Sequence, residues 1–189
     1  MNNFFEETAF IIDEDKAKKK YNVLKIISIG LFACAIIWFI VVLCGLPYDG
    51  LAFYLIGLIP QLFFLISAIF LWFFKDNYYI DYDYRFSSGE VIIMKVIDQK
   101  KRRKGISFRC NDLERFGDYG SETYLRYKKM PNVKVLYMTS NETPAKGKNF
   151  YYAVYNTSDK KLIIVLECSK EFVKCVTSHC RSYIFDLDV

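Results

Sequence analysis

The amino-acid sequence predicts a membrane α-helical hairpin followed by an α+β domain, in which an antiparallel β-barrel of six or seven strands is covered by one C-terminal helix. Three observations lead to this prediction. Two long apolar runs stand near the N-terminus, short segments after them alternate polar and apolar residues, and a last segment changes to helical spacing. The domain is therefore expected to follow the hairpin as a separate folding unit.

The two apolar runs are long enough to cross a lipid bilayer. Residues 26–46 and 51–74 contain no Asp, Glu, Lys or Arg, and about 20 apolar residues span the hydrocarbon core. The segment before the first run contains five acidic residues, whereas a cleaved signal peptide starts with a short basic region. We therefore predict two retained transmembrane helices at residues 22–46 and 51–74, joined by a short extracellular loop at 47–50.

The distribution of Lys and Arg predicts the orientation. Five of the 26 basic residues flank the start of the first span, the other 21 follow the second span, and the loop at 47–50 has none. Because basic residues stay on the cytoplasmic side, we predict a two-span plasma-membrane protein with both termini in the cytoplasm. Residues 1–21 would be a cytoplasmic segment and residues 75–189 a cytoplasmic domain.

The cysteines after the spans are expected to be thiols, because disulfides are rare in a reducing cytoplasm. They are Cys110, Cys168, Cys175 and Cys180.

Apolar residues in the N-terminal segment recur at helical spacing. One helix face would contain Phe4, Phe5, Ala9 and Ile12. Two interpretations remain open, a helix lying on the membrane surface and a frayed terminus.

Small residues in the spans favour close helix packing. The short loop makes the spans an antiparallel hairpin, and Gly30, Cys34 and Gly57 suit close approach of two helices. Gln61 is the one strongly polar side chain in either run. Its expected partner is either the carbonyl freed by the neighbouring Pro60 or a group on a partner helix.

The segment after the spans contains strand patterns separated by turn residues. Alternation is clearest at 78–86, where Asp81 and Asp83 fall on the polar face that we interpret as solvated. A turn at 87–89 follows, and the other predicted strands are 91–97, 106–110, 133–138, 150–155 and 162–167. The stretch at 111–131 is predicted to be irregular.

The last predicted element is an amphipathic helix at 170–183. Ser169 is a suitable N-cap. The residues recurring at helical spacing on its apolar stripe are Phe172, Val176, His179 and Tyr183.

Several short motifs run through the whole chain. They are Asn3-Phe4-Phe5-Glu6, the two adjacent spans, Tyr82-x-Tyr84-x-Phe86 with Gly89-Glu90, Arg102-Arg103-Lys104, Ile106-Ser107-Phe108, and Leu166-Glu167 before the last helix. With these motifs the chain resembles a domain-of-unknown-function family of small Firmicute two-span membrane proteins with a C-terminal PH-like domain. The resemblance implies a PH-like fold, implies no known activity and transfers no catalytic residue.

Five consecutive cations form the clearest charge feature, in a predicted loop between two strands. This basic cluster comprises Lys100, Lys101, Arg102, Arg103 and Lys104. Near an anionic membrane each basic residue contributes about 1 kcal/mol of attraction, so the cluster is a candidate site for anionic lipid head groups. The alternative is a solvated turn that maintains topology and solubility. Nucleic acid is not expected, because the aromatic residues follow the strand alternation of a core.

No metal site, cofactor or catalytic machinery is predicted. The candidate metal ligands are Cys168, Cys175, His179 and Cys180, but they lack the paired spacing of structural zinc sites. His179 is the only histidine and falls on an apolar stripe, and the common catalytic motifs are missing. The apolar runs at residues 26–46 and 51–74 contain no Asp, Glu, Lys, Arg or His that could form an ion pathway.

The sequence therefore predicts a non-enzymatic, membrane-anchored cytoplasmic binding module. Its expected partners are membrane lipids, including anionic head groups, and another membrane protein. The alternative is a small structural or regulatory subunit of a larger membrane protein complex, in which the two spans form the interaction surface.

Overall fold

A computed structural model describes residues 4–156, 161–180 and 185–186, without the side chains of residues 45–56 and 186. The chain divides into two compact units. The sheet unit combines Met1–Ile12 with Ile80–Val189, and the helical unit is Asp13–Tyr79. The helical unit is thus an insertion in the sequence of the sheet unit. This division differs from the predicted one, which began the domain at residue 75.

The helical unit is an antiparallel hairpin. Helical backbone runs through α1 (Glu14–Phe74), yet Ser28 Oγ donates a hydrogen bond to the carbonyl of Ala68 over 2.7 Å. On one straight helix these two residues would lie about 60 Å apart, so the chain reverses direction between them. Trp38 Nε1 also donates to the carbonyl of Gly57 over 2.8 Å, which places the reversal after Trp38.

The two arms of the hairpin are each long and apolar enough to cross a membrane. They comprise Glu14–Cys44 and Gly57–Asn77, and the second ends in a 3₁₀ turn at Lys75–Asn77. The predicted pair of long apolar helices is confirmed.

The first sheet has four antiparallel strands in the order β1-β2-β3-β4. They are β1 (Phe4–Ala9), β2 (Ile80–Ser87), β3 (Glu90–Ile97) and β4 (Lys101–Arg109). The turn between β2 and β3 is tight because Ser88 and Gly89 both have positive φ, of 49° and 82°, as two-residue hairpin turns require.

The N-terminal segment contains a strand, and the predicted helix face through Phe4, Phe5 and Ala9 is wrong. β1 pairs with β2 from Phe4↔Ser87 to Ala9↔Tyr82. The sequence of β1 does not show the alternation of polar and apolar residues that is typical of a strand. The reason is that Glu7, a charged residue, lies on the same inward side as Phe5 and Ala9. The Glu7 carboxylate accepts hydrogen bonds there from Ser169 N (2.9 Å) and Ser169 Oγ (2.6 Å).

The second sheet has the order β6-β8-β7-β5-β9. β6 runs parallel to β8, and β9 runs parallel to β5, so the prediction of a wholly antiparallel domain is wrong. The strands are β5 (Leu113–Asp118), β6 (Val133–Met138), β7 (Lys148–Asn156), β8 (Lys161–Ser169) and β9 (Phe185–Asp186).

The stretch at 111–131 is more regular than predicted. It contains β5 and the short helix α2 (Glu122–Lys128), whose N-cap Ser121 accepts a hydrogen bond from Tyr124 N. A seven-residue helix is too short to show a clear helical period in sequence.

The strands form two sheets rather than the predicted closed barrel. Side chains connect the free edge of β1 to the second sheet and its loops: Lys148 Nζ donates to Thr8 O over 2.6 Å, and Ser140 Oγ donates to Ala9 O over 2.5 Å. Tyr84 crosses the core, donating from its hydroxyl to Met138 O and accepting from Glu167 N. Burial raises the pKa of the Tyr84 hydroxyl.

The C-terminal helix covers the core between the sheets. α3 (Lys170–Thr177) begins at the predicted N-cap, where Ser169 Oγ accepts from Phe172 N over 3.2 Å. Phe172 is fully buried, with its ring centroid 6.0 Å from that of Phe5 and 6.1 Å from that of Tyr84. The helix ends earlier than predicted, and Tyr183 lies outside the described residues.

Cys110 and Cys180 are joined as a disulfide, which differs from the predicted thiols. The two residues are 70 positions apart in sequence, and folding brings their Cα atoms to 5.1 Å, within the range that a disulfide spans. Cys168 is a fully buried thiol, and burial raises its pKa.

Candidate functional site

The basic cluster lies on an edge strand. Lys100 completes the turn after β3, and the other four cations are the first four residues of β4. The predicted loop is therefore wrong from Lys101 onward, because Lys101 pairs with Ile97 and Lys104 with Met94. Within the described residues, no strand pairs with the outer edge of β4.

A bulge at Gly105 separates the basic part of β4 from its apolar part. The pairing register shifts at this point, between Ile93 and Met94 of β3. A Cβ atom on Gly105 would lie 2.9 Å from the backbone oxygen of Ile93, so another residue fits only if the backbone moves. Beyond the bulge, Phe108 returns to the core.

The cations divide between the two faces of the strand. Because strand side chains alternate, Arg102 and Lys104 share one face, and Lys101 and Arg103 share the other. All four residues are exposed. The long side chains on both faces can therefore reach toward a surface that approaches the edge of the sheet.

The buried carboxylate of Asp83 forms an ion pair with Arg102, the central residue of the basic cluster. Arg102 Nε lies 3.1 Å from Asp83 Oδ2, and Asp83 Oδ1 accepts a hydrogen bond from Thr8 Oγ1 over 2.7 Å. Asp81 is equally buried and accepts from Ile11 N over 2.9 Å. The interpretation of both aspartates as solvated is wrong, because the N-terminal segment covers them, and no local pattern shows that contact.

Lys101 and Lys104 form no ion pair with any residue that the structure describes. Lys100 lies 3.6 Å from Asp98, but its side chain is 80% exposed, so this pair contributes little. The edge of β4 therefore presents positive charge that can attract anions. The same charge also protects an open edge from pairing with another chain.

The base of the helical unit combines basic and aromatic side chains. Buried Lys75 pairs with Asp76 over 2.7 Å, and its Nζ lies 4.4 Å from the Trp72 ring centroid and 5.0 Å from that of Tyr21. Lys20 Nζ lies 5.7 Å from the Tyr78 ring centroid. Such residues at one end of an apolar helix are typical of the membrane–water interface.

The family model of a bacterial PH-like domain (DUF6106) matches residues 4–186. The chain belongs to this family. The match runs from β1 through the helical hairpin to β9, so the DUF6106 family model includes the helical insertion, and the predicted resemblance to a PH-like family is confirmed. No curated protein and no solved structure matches the chain.

The predicted packing residues of this DUF6106 hairpin occupy different environments. A Cβ atom on Gly57 would lie 2.7 Å from Val42 Cγ2 on the opposite arm. No atom lies within 4 Å of a Cβ placed on Gly30, and Cys34 is exposed. The Oε1 atom of Gln61 is buried and accepts no hydrogen bond from the described residues.

The four residues considered as metal ligands have other surroundings. Cys180 is bonded to Cys110, and Cys168 is buried in the core. The His179 ring centroid lies 4.9 Å from that of Phe86, and His179 Nδ1 lies 3.0 Å from the carbonyl of Cys175. In the described part of this DUF6106 chain, no group of three His, Cys, Asp or Glu side chains is arranged to hold a metal ion.

Proposed function

We propose that this protein is a membrane-anchored cytoplasmic binding module whose basic edge strand contacts anionic lipid head groups. Membership of a PH-like family favours a binding module over an enzyme. The observation that supports lipid contact is the row of exposed cations on β4, in which Lys101 and Lys104 make no ion pair with a described residue.

The surface of the hairpin supports membrane anchoring. Its arms expose many large apolar side chains, with 68% exposure for Ile26, Phe63 and Phe73. A soluble protein rarely exposes a contiguous apolar surface of this kind, whereas lipid hydrocarbon solvates it. Because the hairpin already anchors the chain, contact between β4 and lipid would orient the domain rather than recruit it.

We expect anionic lipid to slow hydrogen exchange in β4. The experiment compares the full chain in nanodiscs of phosphatidylcholine alone with nanodiscs that also contain phosphatidylglycerol, and measures deuterium uptake at residues 98–109. Replacing Lys101 and Lys104 together by Gln removes about 2 kcal/mol of attraction, which should weaken the contact about 30-fold. Raising the salt concentration should have a similar effect, because salt screens exposed charges.

The matched control is the pair Lys134→Gln and Lys146→Gln, which removes the same charge from exposed residues outside β4. This control should retain the protection at residues 98–109. Equal hydrogen exchange in neutral and anionic nanodiscs would reject lipid contact. It would favour the alternative role of the cations, which is to keep another chain from pairing with the open edge of β4.

The proposed orientation predicts the redox state of Cys110 and Cys180 in cells. In a reducing cytoplasm the disulfide that the structure shows between these two residues should be reduced to two thiols. Cells are quenched in acid, and the denatured protein is alkylated before and after reduction. We expect both cysteines to be alkylated before reduction. The Cys110→Ser variant lacks one of the two alkylated peptides, which assigns that peptide to Cys110 and the remaining one to Cys180. A pair that reacts only after reduction would contradict the cytoplasmic placement.

A further inference from the structure

The sheet unit contains a pocket that lipid contact at β4 does not use. Its volume is about 420 Å³, and Val165 of β8 contributes to its lining. Three aromatic rings and a run of polar residues form the rest of the walls. The residues important here are Tyr119, Tyr137, Phe150, Ser140, Asn141 and Glu142.

The aromatic rings form a corner around Tyr119. The Tyr119 ring is inclined by 70° to the Tyr137 ring and by 80° to the Phe150 ring, with centroids 6.5 Å and 5.9 Å apart. The face of an aromatic ring carries partial negative charge and attracts cations. Nearly perpendicular rings can present several faces to one bound group, as in sites for quaternary ammonium ions.

The charge of the pocket also favours a cation. Glu142 is exposed at the pocket and makes no ion pair with a residue that the structure describes. Among the described residues that line the pocket, none is Lys, Arg or His. Glu142 is therefore the one charged side chain among these lining residues, and its charge favours a cationic ligand over an anionic one.

An ammonium group already lies near the same aromatic cluster. Lys128 Nζ is 5.9 Å from the ring centroid of Tyr124, and the Tyr124 ring centroid is 4.7 Å from that of Tyr119. Neither Lys128 nor Tyr124 belongs to the pocket lining, so this contact leaves the pocket available to a ligand.

Hydrogen bonds hold one wall of the pocket in place. Asn141 Oδ1 accepts from Ile12 N over 2.7 Å, and Asn141 Nδ2 donates to Phe10 O and to the Glu167 carboxylate. Ser140 Oγ donates a hydrogen bond to the backbone oxygen of Ala9. A preformed wall lowers the ordering cost of binding.

We propose that this pocket binds a small quaternary ammonium compound of the choline class. The rings around Tyr119 attract the ammonium group, and Glu142 provides the opposite charge. A quaternary ammonium ion has no N–H donor that must be satisfied, so π-faces can replace its hydration better than they replace that of a primary amine.

The test measures binding of choline to the full chain in dodecyl maltoside, a detergent without an ammonium group, by calorimetry. The comparison ligand is 3,3-dimethylbutan-1-ol, in which carbon replaces the nitrogen and the shape is retained without charge. We expect choline to bind at least about tenfold more tightly than this neutral analogue, because the analogue loses the cation–π attraction.

Variants locate the binding site. Tyr119→Leu removes the central ring and should weaken choline binding about tenfold, whereas Tyr119→Phe keeps the ring and should bind as well as the native chain. Glu142→Gln should weaken binding of choline and leave binding of the neutral analogue unchanged. The matched control Glu122→Gln changes an exposed carboxylate outside the pocket lining and should have no effect.

Two results would overturn the proposal. The first is equal affinity for choline and the neutral analogue, which would indicate an apolar pocket without preference for charge. The second is that neither the native chain nor the Tyr119→Phe variant binds choline, although both proteins are folded. Cooperative unfolding on heating shows that they are folded.

Discussion

Deletion of residues 1–12 is expected to unfold the sheet unit, although it leaves both helical arms intact. The deletion removes strand β1 and with it the whole ladder from Phe4↔Ser87 to Ala9↔Tyr82. It also removes buried Ala9 and the Glu7 carboxylate that accepts two hydrogen bonds from Ser169. A six-residue ladder at about 1 kcal/mol per hydrogen bond, together with lost burial, approaches the total stability of a domain.

Limited proteolysis of the detergent-solubilised chain measures this effect. We expect the deleted chain to lose protease resistance across residues 80–186, while its hairpin remains protected by the micelle. The control is Glu6→Gln, which removes only the partly exposed pair with Arg85 and should cost less than about 1 kcal/mol. Native-like resistance of the deleted chain would show that β1 is dispensable.

Glu167→Ala is expected to lower the free energy of unfolding by about 3 kcal/mol. Glu167 is completely buried, and its Oε1 accepts hydrogen bonds from Asn141 Nδ2 and Ala145 N, each at 2.9 Å. The substitution leaves these donors without their acceptor and creates a cavity, and both changes destabilise a fold. Thermal unfolding followed by fluorescence should show a midpoint about 10 °C lower.

Glu167→Gln is the matched variant, because it keeps the side-chain volume and one acceptor oxygen. It should lose markedly less stability than Glu167→Ala. Exchange of the backbone amide of Ala145 should accelerate in Glu167→Ala and much less in Glu167→Gln. An unchanged midpoint in Glu167→Ala would mean that solvent replaces the carboxylate at no cost, in conflict with its complete burial.

Local sequence patterns predict the elements whose apolar residues recur at regular spacing. In β2 the residues Tyr82, Tyr84 and Phe86 alternate in sequence with polar residues, and all three are buried. The apolar runs of the hairpin are equally clear, because each run is apolar on every side of its helix. Ser169 was recognisable as an N-cap from its residue type and its place before an amphipathic segment.

Elements that depend on distant contacts were not predictable in this way. β1 has an inward-facing charge, Glu7, whose partner Ser169 is 162 positions away in sequence. The basic half of β4 has the composition of a loop, yet an edge strand tolerates such charges because one of its sides faces solvent. The parallel pairing of β6 with β8 likewise leaves no mark in the alternation of either strand.

The candidate site was predictable only in part. The sequence located the five cations, but the ion pair of Arg102 on β4 with Asp83 on β2 reaches across the intervening strand β3. The pocket around Tyr119 draws its walls from β6, β7, β8, the loop after β6 and the turn that follows β5. Its residues therefore form no motif along the chain.

The central claim is that a membrane hairpin interrupts a PH-like domain whose first strand precedes it. Cross-linking of Glu6→Cys to Arg85→Cys, which face each other in the β1–β2 register, tests this claim directly. The other cysteines are replaced, and a protease site is inserted at residues 47–50. Membranes that contain this protein are washed with alkali, the protein is oxidised to form the cross-link, and the protease then cleaves it between the two arms. We predict that the two fragments remain in the membrane pellet as one band that separates on reduction. Separate bands before reduction, or release of the chain by the alkaline wash, would contradict the claim.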